Sequence, residues 1–195
     1  MKVVRPYGVG VKRREEILEA ALELFSVHGY RGAPIAEVAA RVGLTLAGVL
    51  HYFSSKEELL AAVLKRRDDL DAPWFEEKWA ETGSLRGATL QLMSRNMHEP
   101  HVLRLFVTLS AESTDPTHPS HEYFQARYQR SRRIFTRTLE EAKARGEVVA
   151  SVSPPILIAV LDGLQVQWLL EPSFDLLGEI DRYFDSIGPV EEMSR

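Results

Sequence analysis

The sequence predicts an all-α fold in two parts, a small N-terminal domain of three helices and a larger helical domain behind it. Three observations predict it. Apolar residues recur every three or four positions along most of the chain, glycines and prolines fall between the periodic segments, and no two segments alternate as paired strands would. Val148–Val152 is the best strand candidate, and a single strand has nothing to pair with.

Element by element, Ile17, Ala21, Leu24, Phe25 and His28 give a first helix over 12–28, which Gly29 ends. Pro34, suited to a first helical position, opens a short second helix carrying Ile35, Val38, Ala39 and Val42, and Gly43 suits the left-handed residue after its end. Thr45 caps a third helix to about Phe53. Ser54-Ser55-Lys56-Glu57-Glu58 offers a capping box for a fourth, whose apolar face is Leu59, Leu60, Val63, Leu64 and Leu70. Asp71-Ala72-Pro73 is expected to interrupt that helix. Further helices follow at about 74–81, 84–97, 101–113, 119–145, 154–170 and 173–187, with Gly83, Pro100, Pro116, Pro119, Gly146, Pro154-Pro155 and Pro172 between them.

The chain has 195 residues, 45% hydrophobic and 27% charged, ample for a buried core. It contains no cysteine, which excludes disulfides, thiol catalysis and thiolate zinc sites. The start lacks the apolar core of a secretory signal and no run reaches membrane-span length, so a cytoplasmic protein without a membrane partner is expected. The formal charge of −4 conceals an asymmetry. Residues 1–56 hold eight basic and five acidic side chains (+3), whereas the remainder holds sixteen and twenty-three (−7). Attraction to a polyanion is local and screened within about 10 Å, so only the N-terminal part suits one.

The segment from Ile35 to Phe53 places Ala39, Gly43 and Val49 at its fifth, ninth and fifteenth positions. Two short helices that cross steeply need a small residue at the crossing, a turn residue tolerating positive φ, and an apolar lock on the second helix. This spacing describes a helix-turn-helix, whose second helix would lie in the major groove of DNA. An ordinary helical hairpin fits the same spacing.

The wider context decides between them. Arg14 before Ile17-Leu18, Ala20-Ala21, Leu24-Phe25, Gly29-Tyr30, Ile35-Ala36, Val38-Ala39, Val42-Gly43-Leu44 and Phe53-x-Ser55-Lys56-Glu57-x-Leu59 occur in order. Over roughly residues 12–64 the chain thereby resembles the TetR family of bacterial regulators. It departs where Ala33-Pro34 replaces the threonine usual before the second helix, and where Leu50 and Tyr52 stand for an aromatic and a histidine. These departures put one phosphate-contacting hydroxyl in question and imply a DNA preference of its own.

The resemblance implies a DNA-binding domain over 1–56 and a helical dimerisation and ligand-binding domain over 57–195. It implies a homodimeric repressor that binds a near-palindromic double-stranded operator and is released by a small-molecule effector. Carried over by position, Thr45, Leu46, Ala47 and Gly48 form the groove-facing turn, His51 and Tyr52 its flank, and Lys56 a phosphate clamp. The residue chemistry agrees: Thr45 and Tyr52 offer hydroxyls to phosphates, small Ala47 and Gly48 permit close approach, and Lys56 sits at a helix N-terminus. Leu46 can pack on a thymine methyl or be a stray surface leucine, and Leu50 is expected to pack within the domain. Lys12-Arg13-Arg14 can touch phosphate or a minor groove, or be a solvated helix start.

In the C-terminal part, Phe124, Tyr128, Ser131, Phe135, Thr138 and Ala142 form one helical stripe and Ile156, Val160, Gly163, Leu164 and Gln167 another. These are expected to pair between copies, although an intramolecular core produces such stripes too. Trp79, Met93, Met97, Phe106, Tyr123 and Trp168 are the candidate effector-binding residues, with ordinary core packing as the alternative. His98-x-x-His101 and His118-x-x-His121 have ligand-like spacing, but Pro100 and Pro119 break both pairs. No metal or cofactor site is expected. No nucleophile–base or paired-carboxylate arrangement is assignable, so no catalytic residue is expected; the rival class is a helical enzyme or small-molecule carrier with a degenerate helix-turn-helix.

Overall fold

The computed structural model describes residues 7–148 and 152–189, with side chains from residue 10 onward. Among the described residues there are nine helices and no strand: α1 Tyr7–Gly32, α2 Ile35–Arg41, α3 Leu46–Leu50, α4 Lys56–Thr82, α5 Leu85–Met97, α6 Pro100–Glu112, α7 His121–Ala144, α8 Pro154–Leu170 and α9 Leu176–Ile187. Residues 149–151 of the strand candidate lie outside the described residues. No helix is long and apolar enough to cross a membrane.

The described residues form two compact units. One holds the chain up to Asp71 together with His101–His121, and the other holds Ala72–Pro100 together with the chain from Glu122 onward. In the first unit the apolar faces bury Ile17, Leu18, Leu24, Phe25, Val38, Val49, Phe53, Leu59, Leu60 and Leu64. Each large aliphatic or aromatic side chain so buried contributes about 1.5–3 kcal/mol, which is what holds helices as short as α2 and α3 in place.

The second unit buries Phe75, Trp79, Met93, Phe124, Phe135, Leu157, Leu161, Trp168, Ile180 and Phe184. Its helix ends are tied by polar groups. Glu147 accepts the amide protons of Leu85 (2.9 Å) and Arg86 (2.8 Å) and the Ser84 hydroxyl (2.6 Å), so it caps α5 from far along the chain. The Arg86 guanidinium reaches α9 through Asp181 (2.6 Å) and Asp185 (2.7 Å). Ser84 and Asp175 cap α5 and α9 by accepting from Gly87 (3.1 Å) and Gly178 (3.0 Å).

Three expectations are corrected. Pro73 does not end the fourth helix: α4 continues through it to Thr82. Ala72 and Pro73 are exposed, as is Asp69, whose carbonyl loses a donor to the proline, so the lost bond falls on a solvent-facing side of the helix. Lys65–Asp69 (2.5 Å) and Arg67–Asp71 (3.1 Å) pairs brace the preceding turns, and buried Phe75 and Trp79 hold the following ones. Pro34 is the N-cap of α2 in extended conformation (φ −71°, ψ 145°), one position before its expected place. Of the α7 stripe, Phe124, Phe135, Thr138 and Ala142 are buried inside their own unit, and only Tyr128 and Ser131 are left half-buried. On α8, by contrast, Ile156, Val166 and Leu170 are 54%, 39% and 82% exposed.

Candidate nucleic-acid interface

The turn between α2 and α3 is a Schellman motif. Leu44 N–H donates to the Ala39 carbonyl (2.9 Å) and Gly43 N–H to the Ala40 carbonyl (3.2 Å), with Gly43 at φ +67°. A Cβ on Gly43 would meet nothing within 4 Å, so its backbone conformation alone demands glycine. Thr45 then caps α3, its Oγ1 accepting the Gly48 N–H at 3.1 Å. α3 spans Leu46–Leu50, shorter than the expected helix to Phe53, yet His51 and Phe53 N–H still bond the carbonyls of Ala47 and Val49 (3.0 Å each).

α3 is anchored from beneath and open above. Val49 and Phe53 are fully buried, and the Arg14 guanidinium lies 4.7 Å from the Phe53 ring centroid. Thr45, Leu46, Ala47 and His51 are exposed, and Gly48 and Tyr52 are partly so. The His51 and Tyr52 rings meet edge to face at 5.6 Å. Leu46 is 46% exposed, and Leu50, expected inside, is 38% exposed. Five residues make barely more than one turn of helix, so Val49 and Leu50 point in different directions and only one can face the core.

α4 begins with a displaced capping box. Ser55 Oγ accepts the Glu58 N–H (3.2 Å), while the Glu58 carboxylate accepts both the N–H and the hydroxyl of Ser54 (2.6 Å each), one residue before the cap. These bonds hold the Glu58 carboxyl below its ordinary pKa. Lys56 Nζ donates to the Arg31 carbonyl (3.4 Å) and lies 4.7 Å from the Tyr30 ring centroid, and the Tyr30 hydroxyl donates to Glu57 (3.0 Å). Burial, with the Glu57 carboxylate beside it, pushes the Tyr30 hydroxyl to about 12. Sequence reasoning missed Tyr30 and Glu57 as companions of Lys56; the available signal was Gly29 immediately before an aromatic. In the basic run, Arg13 is engaged by Glu16 (2.7 Å) and the Val42 carbonyl (3.2 Å), and Arg14 packs on Phe53; Lys12 and Arg14 are both exposed.

Of the candidate effector residues, Trp79, Met93 and Trp168 are buried in the second unit, and Met97 and Tyr123 are half-buried there. Phe106, half-buried on α6, belongs to the first unit. The Trp79 indole N–H donates to Glu141 (3.1 Å) under the Arg145 guanidinium (4.4 Å), and Tyr123 meets Phe124 edge to face (5.1 Å). An open groove of about 460 Å³ in the second unit is lined instead by Trp74, Gln91, Ser94, Arg95, His98 and Glu99. Three of the four spaced histidines are engaged locally: His98 Nδ1 with the Ser94 carbonyl (2.7 Å), His118 with Ser113 (3.1 Å), and His121 with the Ser113 carbonyl (2.8 Å). No group of three potential metal ligands forms among the described residues.

The fold and the α2–α3 geometry define a helix-turn-helix regulator of the DNA-binding kind. Residues 17–63 match the family model described as bacterial regulatory proteins, tetR family. The transcriptional repressor AcnR of Corynebacterium diphtheriae is 30% identical over 159 residues, covering 77% of this chain and 78% of that protein. The transcriptional regulator TtgR of Pseudomonas putida is 28% identical over 185 residues, covering 89% and 88%. The reduced form of Escherichia coli NemR superposes with a TM-score of 0.77 at 20% identity, over 93% of this chain and all of that one. The chain belongs to the tetR family of bacterial regulatory proteins. It is a transcriptional regulator, as its relatives are, and not an enzyme.

Proposed function

We propose that this regulator is a cytoplasmic homodimeric repressor that reads an inverted-repeat operator with α3 and releases it on binding a small molecule. One observation carries the reading: α3 is pinned by Val49 and Phe53 while presenting Thr45, Leu46, Ala47 and Gly48 outward. With its acceptor side used by Gly48, the Thr45 hydroxyl keeps its proton for a phosphate oxygen. A Cβ on Gly48 would make only ordinary contacts at 3.4 Å within the protein. The absence of a side chain there therefore favours close approach by something outside the chain. Leu46 supplies an apolar contact for a thymine methyl, Tyr52 and His51 flank it, and Lys56 clamps a phosphate. Residues 1–56 act as the DNA-reading domain and 57–195 as the dimerising, effector-binding domain.

The exposed Ile156, Val166 and Leu170 of α8 favour pairing between copies. Selection of duplexes from a random-sequence pool tests the reading. Inverted half-sites about one helical turn apart are expected, bound by two chains. Selected sequences without two-fold symmetry, or full affinity from a monomer, would contradict it.

For the effector, Trp79, Met93, Met97, Tyr123 and Trp168, all of the second unit, suit an apolar or amphipathic molecule. A coupling of about 1–3 kcal/mol would weaken operator binding roughly 5- to 150-fold, and DNA would weaken effector binding by the same factor. A molecule that binds at saturation without changing operator affinity is not the effector.

A further inference from the structure

We propose that Tyr30 is a positioning residue for DNA binding, its ring and the adjacent Arg31 carbonyl holding the Lys56 ammonium in the orientation that meets a phosphate. The proposal rests on the reading of Lys56 as a phosphate contact.

An ammonium has three N–H donors. In this structure one is directed to the Arg31 carbonyl at 3.4 Å, and the π face of Tyr30, 4.7 Å away at its centroid, takes the side beneath. The direction that remains is available to a phosphate oxygen. The ring is itself fixed on several sides. Its hydroxyl donates to Glu57 at 3.0 Å, which ties it to the first turn of the helix that Lys56 begins. Its ring meets Phe25 at 5.8 Å and His118 at 6.4 Å, both edge to face. Residues 30–31 and 56–57 are thus cross-linked twice, in opposite senses.

Gly29 makes this possible. At φ +71° and ψ 164° it leaves helical geometry, so Tyr30 is released from the direction of α1. Burial lowers the Lys56 pKa from the ordinary lysine value, the sign expected of a cation held against protein. A free lysine loses rotamer entropy when it docks on a phosphate, whereas one already held loses less.

A double-mutant cycle separates positioning from mere structure. The probe is one duplex selected by the wild-type chain from a random-sequence pool. Lys56→Ala should lower the slope of log affinity against log salt by about one unit for each chain bound, hence about two for the pair of chains on the duplex. Tyr30→Leu should weaken binding roughly two- to fivefold when Lys56 is present, and should have no further effect in the Lys56→Ala background. Tyr30→Phe, which keeps the ring, should restore wild-type affinity. An unchanged slope in Lys56→Ala would overturn the phosphate reading and the proposal with it. A normal Lys56→Ala slope with an equal Tyr30→Leu loss in both backgrounds would overturn positioning alone. If Tyr30→Leu does not fold, the Lys56 ε-methylene resonances decide: an upfield ring-current shift in the wild type and in Tyr30→Phe supports the proposal, and random-coil positions overturn it.

Discussion

Thr45 Oγ1 accepts the Gly48 N–H at 3.1 Å, so the residue that starts α3 is both its cap and one of its exposed polar groups. The two roles separate by substitution. Thr45→Asp keeps an acceptor at the cap but sets a carboxylate where phosphate should lie. It should match the wild type in stability to within about 0.5 kcal/mol and lose most operator affinity. Thr45→Ala should cost about 1 kcal/mol of stability as well. Denaturant melts paired with DNA titrations check this, and an Asp variant that binds DNA normally would remove Thr45 from the interface.

Leu46, half-exposed on a one-turn helix, should read thymine through its methyl group. Replacing thymine by uracil at one position of each half-site should weaken the wild type but not Leu46→Ala. If both proteins discriminate equally, Leu50, exposed to a similar degree, is the residue to substitute next.

The Glu58 carboxyl has a folded pKa below its ordinary value of 4.5, because Ser54 donates to it twice. A lowered carboxyl pKa contributes stability that is present above the unfolded value and lost as pH falls through the folded one. The start of α4 should therefore loosen below about pH 4.5, seen as faster amide exchange at Ser54 and Glu58. In Glu58→Gln, exchange at these amides should lose that acid dependence, and persistence of the wild-type profile would assign it to another group.

Pro73 sits inside α4 without an N–H for the Asp69 carbonyl. Pro73→Ala should restore that bond and raise stability by about 1–2 kcal/mol, after subtracting the entropy that proline removes from the unfolded chain. A lower thermal midpoint would show that the proline geometry is needed where it is.

Local chemistry was legible in the sequence and distant pairing was not. Thr45 and Ser55 accept amide protons within a few residues, and Gly43 turns the chain through its own φ, so their capping and turn roles follow from residue type and spacing. Pro73 misled because its cost depends on whether the carbonyl it abandons reaches water, which only exposure reveals. The α7 stripe was visible, but whether its partner is another helix of the same chain or a second copy is not encoded in periodicity. Leu50 was misplaced because a five-residue helix has too few positions for periodicity to assign its faces. The Tyr30–Lys56 contact joins residues 26 apart, through a glycine whose φ the sequence permits but does not specify.

The central claim is sequence-specific DNA reading by α3, and a competition titration tests it most directly. A labelled duplex from upstream of the protein's own gene, or one selected from a random pool, is bound and then challenged with unlabelled random-sequence DNA at physiological salt. Two chains should bind each duplex, at least about 1,000-fold tighter than they bind the competitor. Thr45→Asp should abolish this preference. Affinities for selected and random duplexes that agree within about tenfold would contradict it.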